Sequence, residues 1–135
     1  MVGGHLTVRV VTPEVVAYDG PADMVVVPSH DGETAFLPRH APFVGLLGAG
    51  ELRFHAPGGG TQRFFLAGGI VQTADDVVTV LAETVMPVDK IDAAKAAADL
   101  EQARAMPAAS EVEASIRDKA VDSARARLRI SRRGG

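Results

Sequence analysis

Residues 77–98 read VVTVLAETVMPVDKIDAAKAAA, and within this stretch the chain changes from one sequence pattern to another. Before Asp89 the residues are mostly apolar and rich in Val, which is typical of a buried strand. After Asp89 the dominant residue is Ala, the best helix former. The sequence therefore predicts a mixed fold, all-β plus α. An N-terminal β-sandwich domain covers residues 1–88, and a C-terminal antiparallel helical hairpin covers residues 89–135.

Upstream of this stretch, short strands are separated by Gly and Pro. Leu6 to Val11 alternates apolar and polar residues, the period of a half-buried strand. Glu51 to Ala56 and Thr61 to Leu66 flank the turn Pro57-Gly58-Gly59-Gly60, which predicts a hairpin. The pair Gly68-Gly69 lies inside an apolar strand and predicts a bulge or a close backbone approach. Many short strands with frequent turns favour a sandwich or a barrel.

Downstream, two helices are predicted on either side of Pro107. Ile91 to Met106 forms the first, and Ser110 followed by Glu113 is a capping box that begins the second. The predicted packing stripes are Ala93, Ala96, Ala97, Leu100 and Ala103 on the first helix, and Val112, Ile116, Ala120, Ala124 and Leu128 on the second. Because a buried methyl contributes only about 0.8 kcal/mol, we expect these Ala-rich helices to be held weakly.

Composition argues against several classes of function. The 135-residue chain has no cysteine, so disulfides and thiolate metal sites are excluded. Its histidines lack the spacing of a metal site, and its acids and serines form no catalytic constellation. No apolar stretch approaches the roughly 20 residues that cross a bilayer, and the net charge of -3 argues against nucleic acid. We expect no active site, no metal and no direct membrane insertion.

The segment from Asp31 to Phe43 collects Gly, two prolines, His and charges between strands. On the residues alone, two interpretations stay open. The segment is either a rigid connection, with φ fixed at both prolines, or a preorganised binding loop.

This segment carries a family resemblance. Gly32-Glu33 followed by Phe36-Leu37-Pro38-Arg39-His40-Ala41-Pro42 resembles the Gly-Glu…Pro-Gly-His-Ala-Pro stretch of bacterial-type F-type ATP synthase epsilon subunits, with Arg39 where the family often has Gly. Similar blocks follow in the same order and reach the helices: Gly50-Glu51-Leu52-Arg53, Leu66-Ala67-Gly68-Gly69-Ile70-Val71, Val78 to Thr84, and Ile91-Asp92.

The resemblance implies a non-catalytic central-stalk subunit, a rotor part of a proton-translocating ATP synthase. Such a protein lies peripherally at the cytoplasmic face of the bacterial inner membrane. Its sandwich would bind the gamma subunit and the c-ring through Glu33, Pro38, His40 and Pro42, which we expect at one loop end. Its hairpin would either fold back or extend toward the alpha and beta catalytic subunits and inhibit ATP hydrolysis.

The second helix carries a basic run. We predict that it makes the inhibitory contact, because arginine suits carboxylate recognition, although a merely solvated face stays open. An alternative function also stays open: an unrelated β-sandwich interaction module whose basic helix binds an anionic partner. The residues of the predicted inhibitory face are Arg117, Arg125, Arg127, Arg129, Arg132 and Arg133.

The resemblance raises one question about a cofactor, which is whether the chain binds a nucleotide. Several bacterial members bind ATP through an Ile/Leu-Asp-x-x-Arg-Ala pattern, which here becomes Ile91-Asp92-Ala93-Ala94-Lys95-Ala96. Asp92 and Lys95 are the matching residues, but lysine lacks the bidentate fork of arginine. We therefore expect ATP binding to be weak or absent and no other cofactor to be required.

Overall fold

The computed structural model of the chain describes residues 5–133. They divide into two compact units between Met86 and Pro87, just before the predicted boundary. The first unit is built of strands and the second of helices, so the predicted fold class is confirmed.

The described part of the first unit forms one eight-stranded sheet that closes into a sandwich. Its strand order is β2-β1-β8-β7-β6-β3-β4, with β5 paired to β7. β1 runs antiparallel to β2 and parallel to β8. The strands are β1 (Leu6–Val11), β2 (Val16–Ala22), β3 (Val25–Ser29), β4 (Gly32–Phe36), β5 (Phe43–Leu46), β6 (Gly50–His55), β7 (Thr61–Ala74) and β8 (Val77–Pro87).

The sandwich core is made mainly of Val, Leu and Phe side chains, with Ala from two strands, and draws on seven of these strands. Alternate residues along each strand point inward, so Leu52 and Phe54 of β6 are buried in the core while His55 is exposed. Tyr18 packs on Phe54 with ring centroids 4.6 Å apart. Close packing of these side chains fixes the position of each strand end, and with it the loops that follow.

The segment from Asp31 to Phe43 is not the single loop that the sequence predicts. Gly32–Phe36 forms strand β4, which pairs antiparallel with β3, and only residues 37–42 remain as a loop. β4 lies at the end of the sheet path, so it pairs on one side only and tolerates Gly and polar residues. Because of those residues, β4 lacks the alternation of apolar and polar residues that would identify it as a strand in the sequence.

The close backbone approach predicted at Gly68-Gly69 is present in β7. Both glycines have positive φ, 73° and 114°, and a Cβ on Gly69 would lie 2.8 Å from the Cα of Ala82 in β8. A side chain at Gly69 therefore has no room, and its backbone conformation is one that L residues rarely adopt.

The second unit contains a short 3-10 turn, Val88–Lys90, and two helices, α1 (Ala93–Arg104) and α2 (Glu111–Arg133), which pack against each other. Asp92 caps α1 by accepting from the backbone N–H of Lys95 at 3.0 Å. Ser110 accepts from the N–H of Glu113 at 3.1 Å, which confirms the predicted start of α2. The Glu113 carboxylate in turn accepts from the N–H of Ala109 at 3.0 Å.

The predicted packing stripe of α2 is wrong in its first half. Ala124 is buried, but Val112 is 70% exposed and Ile116 is 53% exposed. In the structure α1 therefore leaves these two side chains uncovered. On α1 itself Ala96, Leu100 and Ala103 are buried as predicted, whereas Ala93 and Ala97 are exposed.

Candidate partner-binding surfaces

Four charged side chains of alternating sign lie on the face of the sheet opposite the sandwich core, and we call them the charge ladder: Glu33, Arg53, Glu51 and Arg63. The Arg53 guanidinium donates to both carboxylate oxygens of Glu33, at 2.7 Å and 3.3 Å. Its Nη1 lies 3.7 Å from Oε1 of Glu51. The Nε of Arg63 donates to Oε2 of Glu51 at 2.7 Å. The charge ladder thus connects β4 at the sheet edge with β6 and β7.

Glu51 is the least exposed member of the charge ladder, with a side chain that is only 6% exposed, and Glu33 is the most exposed, at 50%. Arg53 and Arg63 are direct cross-strand partners, an arrangement that is unfavourable for like charges. Glu51 contacts both guanidinium groups and offsets their repulsion. The hydrogen bond to Glu33 raises the pKa of Arg53, which keeps the guanidinium charged.

The loop over residues 37–42 is held by backbone and ring contacts. Arg39 has φ 66°, the left-handed conformation that favours Gly, at the position where the resembling family often has Gly. Its N–H donates to Oδ1 of Asp76 at 2.6 Å. The imidazole of His40 packs edge-on against Phe36 with centroids 5.0 Å apart, and its Nδ1 lies 2.7 Å from the carbonyl oxygen of Ala41. These contacts favour a preorganised loop.

The structure does not bring the four predicted contact residues to one loop end. Pro38 and His40 are half-buried and Pro42 is exposed, all within the loop. Glu33 lies instead near the start of β4, while His40 packs on Phe36 at the end of that strand. Three residues of extended chain, about 10 Å, therefore separate Glu33 from the loop end.

An exposed apolar surface lies beside this loop, and we call it the β5 patch: Val44, Leu46 and Ile70. Val44 and Leu46 are each 68% exposed, and Leu46 pairs directly with the half-buried Ile70 of β7. Side chains two residues apart on a strand share a face, so these three side chains are contiguous. Contiguous exposed apolar residues are a common mark of a protein-binding surface.

The arginines of α2 divide between two faces. Arg125, Arg129 and Arg132 are exposed and are spaced four and three residues apart, so they lie together on one face. We call these three the basic face. Arg117 donates to its neighbour Asp118 at 3.2 Å. The side chain of Arg133 lies outside the described residues.

Arg127 lies on a different side of α2 and joins the two helices. Its Nη1 donates to Oδ2 of Asp99 at 3.0 Å, and the two side chains are only 16% and 26% exposed. The same carboxylate accepts from Nζ of Lys95 at 3.2 Å. The hydrogen bond from Arg127 lowers the pKa of Asp99, and Lys95 lowers it further. Asp92 and Lys95, the predicted nucleotide residues, are thus occupied in capping α1 and in pairing with Asp99.

Two further classes of site, metal sites and membrane-spanning helices, do not occur within residues 5–133. No group of three or more His, Asp or Glu side chains there is placed to hold a metal ion. None of the described helices is long and apolar enough to cross a membrane.

With this geometry in place, comparison with known proteins gives the family. Residues 5–88 match the family model for the ATP synthase, Delta/Epsilon chain, beta-sandwich domain. The chain belongs to the ATP synthase epsilon family. It is 43% identical to the ATP synthase epsilon chain of Rhodopirellula baltica over 91% of its own length and 95% of the relative's. It is 36% identical to the epsilon chain of Synechococcus sp. over 94% and 96% of the two chains.

Solved structures show that the fold of this epsilon family member also occurs in more distant proteins. A chain in the Euglena gracilis mitochondrial ATP synthase structure (OSCP/F1/c-ring) aligns with a TM-score of 0.80, at 22% identity over 93% of this chain and 80% of that one. A chain in the Tetrahymena thermophila mitochondrial ATP synthase structure (central stalk/c-ring) aligns with a TM-score of 0.74, at 12% identity over 93% and 96%.

Sequence reasoning missed two parts of these surfaces in this epsilon family member. The sequence-based predictions give Arg53 no role of its own, although Glu51 and Arg53 lie two residues apart on one strand face, which is a signal for an ion-pair network. Arg127 was grouped with the basic run, yet its spacing of two residues from Arg125 and Arg129 already directs it to another side of the helix.

Proposed function

We propose that the chain is a non-catalytic central-stalk subunit of a proton-translocating F-type ATP synthase. In this role the sandwich binds the gamma subunit and the c-ring, and the helical hairpin restrains ATP hydrolysis. The observation that carries the proposal is the family match over nearly the whole chain, which includes both the sandwich and the helices. The subunit would lie peripherally at the cytoplasmic face of the bacterial inner membrane.

Two surfaces of the sandwich support binding to neighbouring subunits. The β5 patch offers contiguous apolar side chains next to a loop whose conformation is already fixed. Burying exposed apolar groups contributes roughly 25 cal/mol per Å² to association. Glu33 adds an oriented carboxylate that accepts hydrogen bonds. Exposed apolar groups together with polar hydrogen-bonding groups are the usual anatomy of a specific interface.

The hairpin supports a regulatory role through its basic face. Arg125, Arg129 and Arg132 present exposed guanidinium groups that suit acidic surfaces on the alpha and beta subunits. Val112 and Ile116 add exposed apolar side chains on the part of α2 that α1 does not cover. α2 therefore offers both charged and apolar contacts to a partner without first separating from α1.

A charge-matched pair of variants tests the regulatory proposal. In the first variant Arg125, Arg129 and Arg132 are each replaced by Gln. In the control, three exposed cations of the same unit outside the basic face, Lys90, Arg104 and Lys119, are replaced by Gln. We expect the first variant to raise ATP hydrolysis several-fold in the reconstituted enzyme and the control to leave it unchanged. Equal hydrolysis with both would refute an inhibitory contact at the basic face.

A second pair of variants tests binding by the sandwich. Replacing Val44 and Leu46 together by Glu places charges on the β5 patch and should abolish co-purification with the gamma subunit and the c-ring. Replacing Val112 by Glu changes an equally exposed valine of the hairpin and should leave co-purification intact. Retention of both variants would show that the β5 patch is not an interface.

A further inference from the structure

The turn between β7 and β8 contacts the loop over residues 37–42 through one side chain. The carboxylate of Asp76 accepts a hydrogen bond from the backbone N–H of Arg39 at 2.6 Å. The backbone carbonyl of Asp76 also accepts from the N–H of Thr7 in β1, at 2.8 Å. Asp76 therefore joins the loop to the sheet at the point where β8 begins.

Both residues of this contact have a backbone conformation that favours Gly. Arg39 has φ 66° and Asp76 has φ 62°. Asp75, at φ 54°, and Asp76 are the two residues of the turn, and positive φ at both positions defines a type I′ turn, whose second position prefers Gly. Strain of this kind persists where surrounding contacts hold it, and it is concentrated at functional sites. The contact between Arg39 and Asp76 thus joins two strained positions.

A glycine in place of Asp76 would suit the turn, but it would lack the carboxylate that holds Arg39. Other contacts of the loop are made within it or to the strands on either side of it. The N–H of His40 donates to the carbonyl of Leu37 at 3.2 Å, and the His40 ring packs on Phe36. The hydrogen bond to Asp76 adds a connection to a turn that is distant in sequence, and it acts at the strained residue itself.

We propose that Asp76 is a positioning residue: its carboxylate holds Arg39 in the left-handed conformation and so keeps the loop in the shape that binds a partner subunit. This inference rests on the proposed function, because it assumes that the loop faces the gamma subunit or the c-ring. The partner then meets a loop that is already ordered, and binding avoids the entropy cost of ordering it.

The size of the effect follows from the backbone preferences at position 39. Without a contact to hold it, a residue other than Gly takes positive φ in only about a few per cent of cases, whereas Gly takes it about as readily as negative φ. The apparent dissociation constant rises in inverse proportion to the fraction of protein in the binding conformation. The internal contacts of the loop favour the same conformation, so losing the carboxylate should weaken binding roughly tenfold with Arg at this position and about twofold with Gly.

A double-mutant cycle with the full-length chain tests the proposal. Binding to a purified complex of the gamma subunit and the c-ring is measured for the parent, Asp76→Gly, Arg39→Gly and the double variant. Adding Asp76→Gly should weaken binding roughly tenfold in the parent but only about twofold in the Arg39→Gly background. Stability in urea should not fall in Asp76→Gly, since Gly suits φ 62° and its carbonyl still accepts from Thr7. A role in the fold alone would lower stability and binding together.

Two variants at the turn serve as controls. Asp76→Asn keeps an acceptor oxygen and tolerates positive φ, so it should bind within about threefold of the parent. Asp75→Gly makes the same change of charge and of residue at the exposed neighbour, and it should bind as the parent does. Amide hydrogen exchange reads the loop without a partner: the N–H of Arg39 should exchange faster in Asp76→Gly than in the parent or in either control.

The outcomes that overturn the inference differ from the one that overturns the proposed function. Equal losses on adding Asp76→Gly to the parent and to Arg39→Gly would show that Asp76 contacts the partner directly. Parental affinity in Asp76→Gly, or unchanged amide exchange at Arg39, would show that the loop keeps its shape without the carboxylate. In these cases the proposed function stands and positioning is wrong. A parent that does not bind the complex refutes the proposed function, and the role of Asp76 in binding fails with it.

Discussion

Gly69 offers the sharpest test of how β7 meets β8. In Gly69→Ala the new Cβ would collide with the carbonyl of Leu81, lying 3.0 Å from its carbon, and would be 2.8 Å from the Cα of Ala82. Both are backbone atoms, so the strands themselves must move apart. The φ of 114° adds strain of about 1–3 kcal/mol for a residue with a side chain. Overpacking adds about 1–3 kcal/mol.

Together these effects should lower the free energy of unfolding of the sandwich by about 2–6 kcal/mol. Two control variants separate the causes. Gly58→Ala places a side chain at φ 71° in open space, so it carries strain without a clash. Gly60→Ala meets neither problem and should be neutral or stabilising by up to about 1 kcal/mol. Stability should therefore fall in the order Gly60→Ala, Gly58→Ala, Gly69→Ala.

The chain contains a convenient probe for this series. Tyr18 is the single tyrosine in a chain without tryptophan, and it packs on the core residue Phe54. Its fluorescence in a urea titration therefore reports on the sandwich alone. The Gly69→Ala variant should also melt more than about 10 °C below the parent. A Gly69→Ala variant within about 1 kcal/mol of Gly58→Ala would show that the approach to Leu81 does not constrain the sandwich.

Three further predictions concern single side chains. Arg39→Gly should leave stability unchanged or raise it by up to about 1 kcal/mol in urea titrations, because it removes left-handed strain at some cost in chain entropy. Glu51→Gln should destabilise the sandwich by about 2 kcal/mol in the same assay, since it leaves like charges opposed on β6 and β7. Asp99 has a lowered pKa, so its pairing with Arg127 stabilises the hairpin fully above about pH 4 and is lost as pH falls further. The helical signal in circular dichroism should fall as the parent is acidified, and it should fall less in Asp99→Asn. Identical acid curves for the two proteins would refute the pairing.

The strands that the sequence predicts are those with a regular period. β1, β6 and the first half of β7 alternate clearly, and β8 begins with the mainly apolar stretch from Val77 to Ala82. β2, β4 and β5 escaped prediction because they are short or lie at an edge of the sheet, where exposure removes the alternation. β2 even contains Gly20 and Pro21, which ordinarily mark turns.

The candidate surfaces were less predictable because they depend on register between distant segments. Both helices were found from composition and capping, but which residues of α2 are covered depends on where α1 ends beside it. The contact between Asp99 and Arg127 crosses the hairpin and has no local signal. The charge ladder likewise needs the pairing of β6 with β7 and the return of β4 to the sheet. Pairing of this kind is decided by tertiary packing and not by local pattern.

The parallel pairing of β1 with β8 has a consequence for how the chain folds. Thr7 pairs with Val77, and its N–H donates to the carbonyl of Asp76, so the first strand stays incomplete until the last strand of the sheet is available. Closing the long loop of chain between Thr7 and Val77 costs roughly 4 kcal/mol in chain entropy before any contact between β1 and β8 compensates for it. Folding of the sandwich should therefore be limited by this one long-range closure, and slower than the formation of its β6–β7 hairpin.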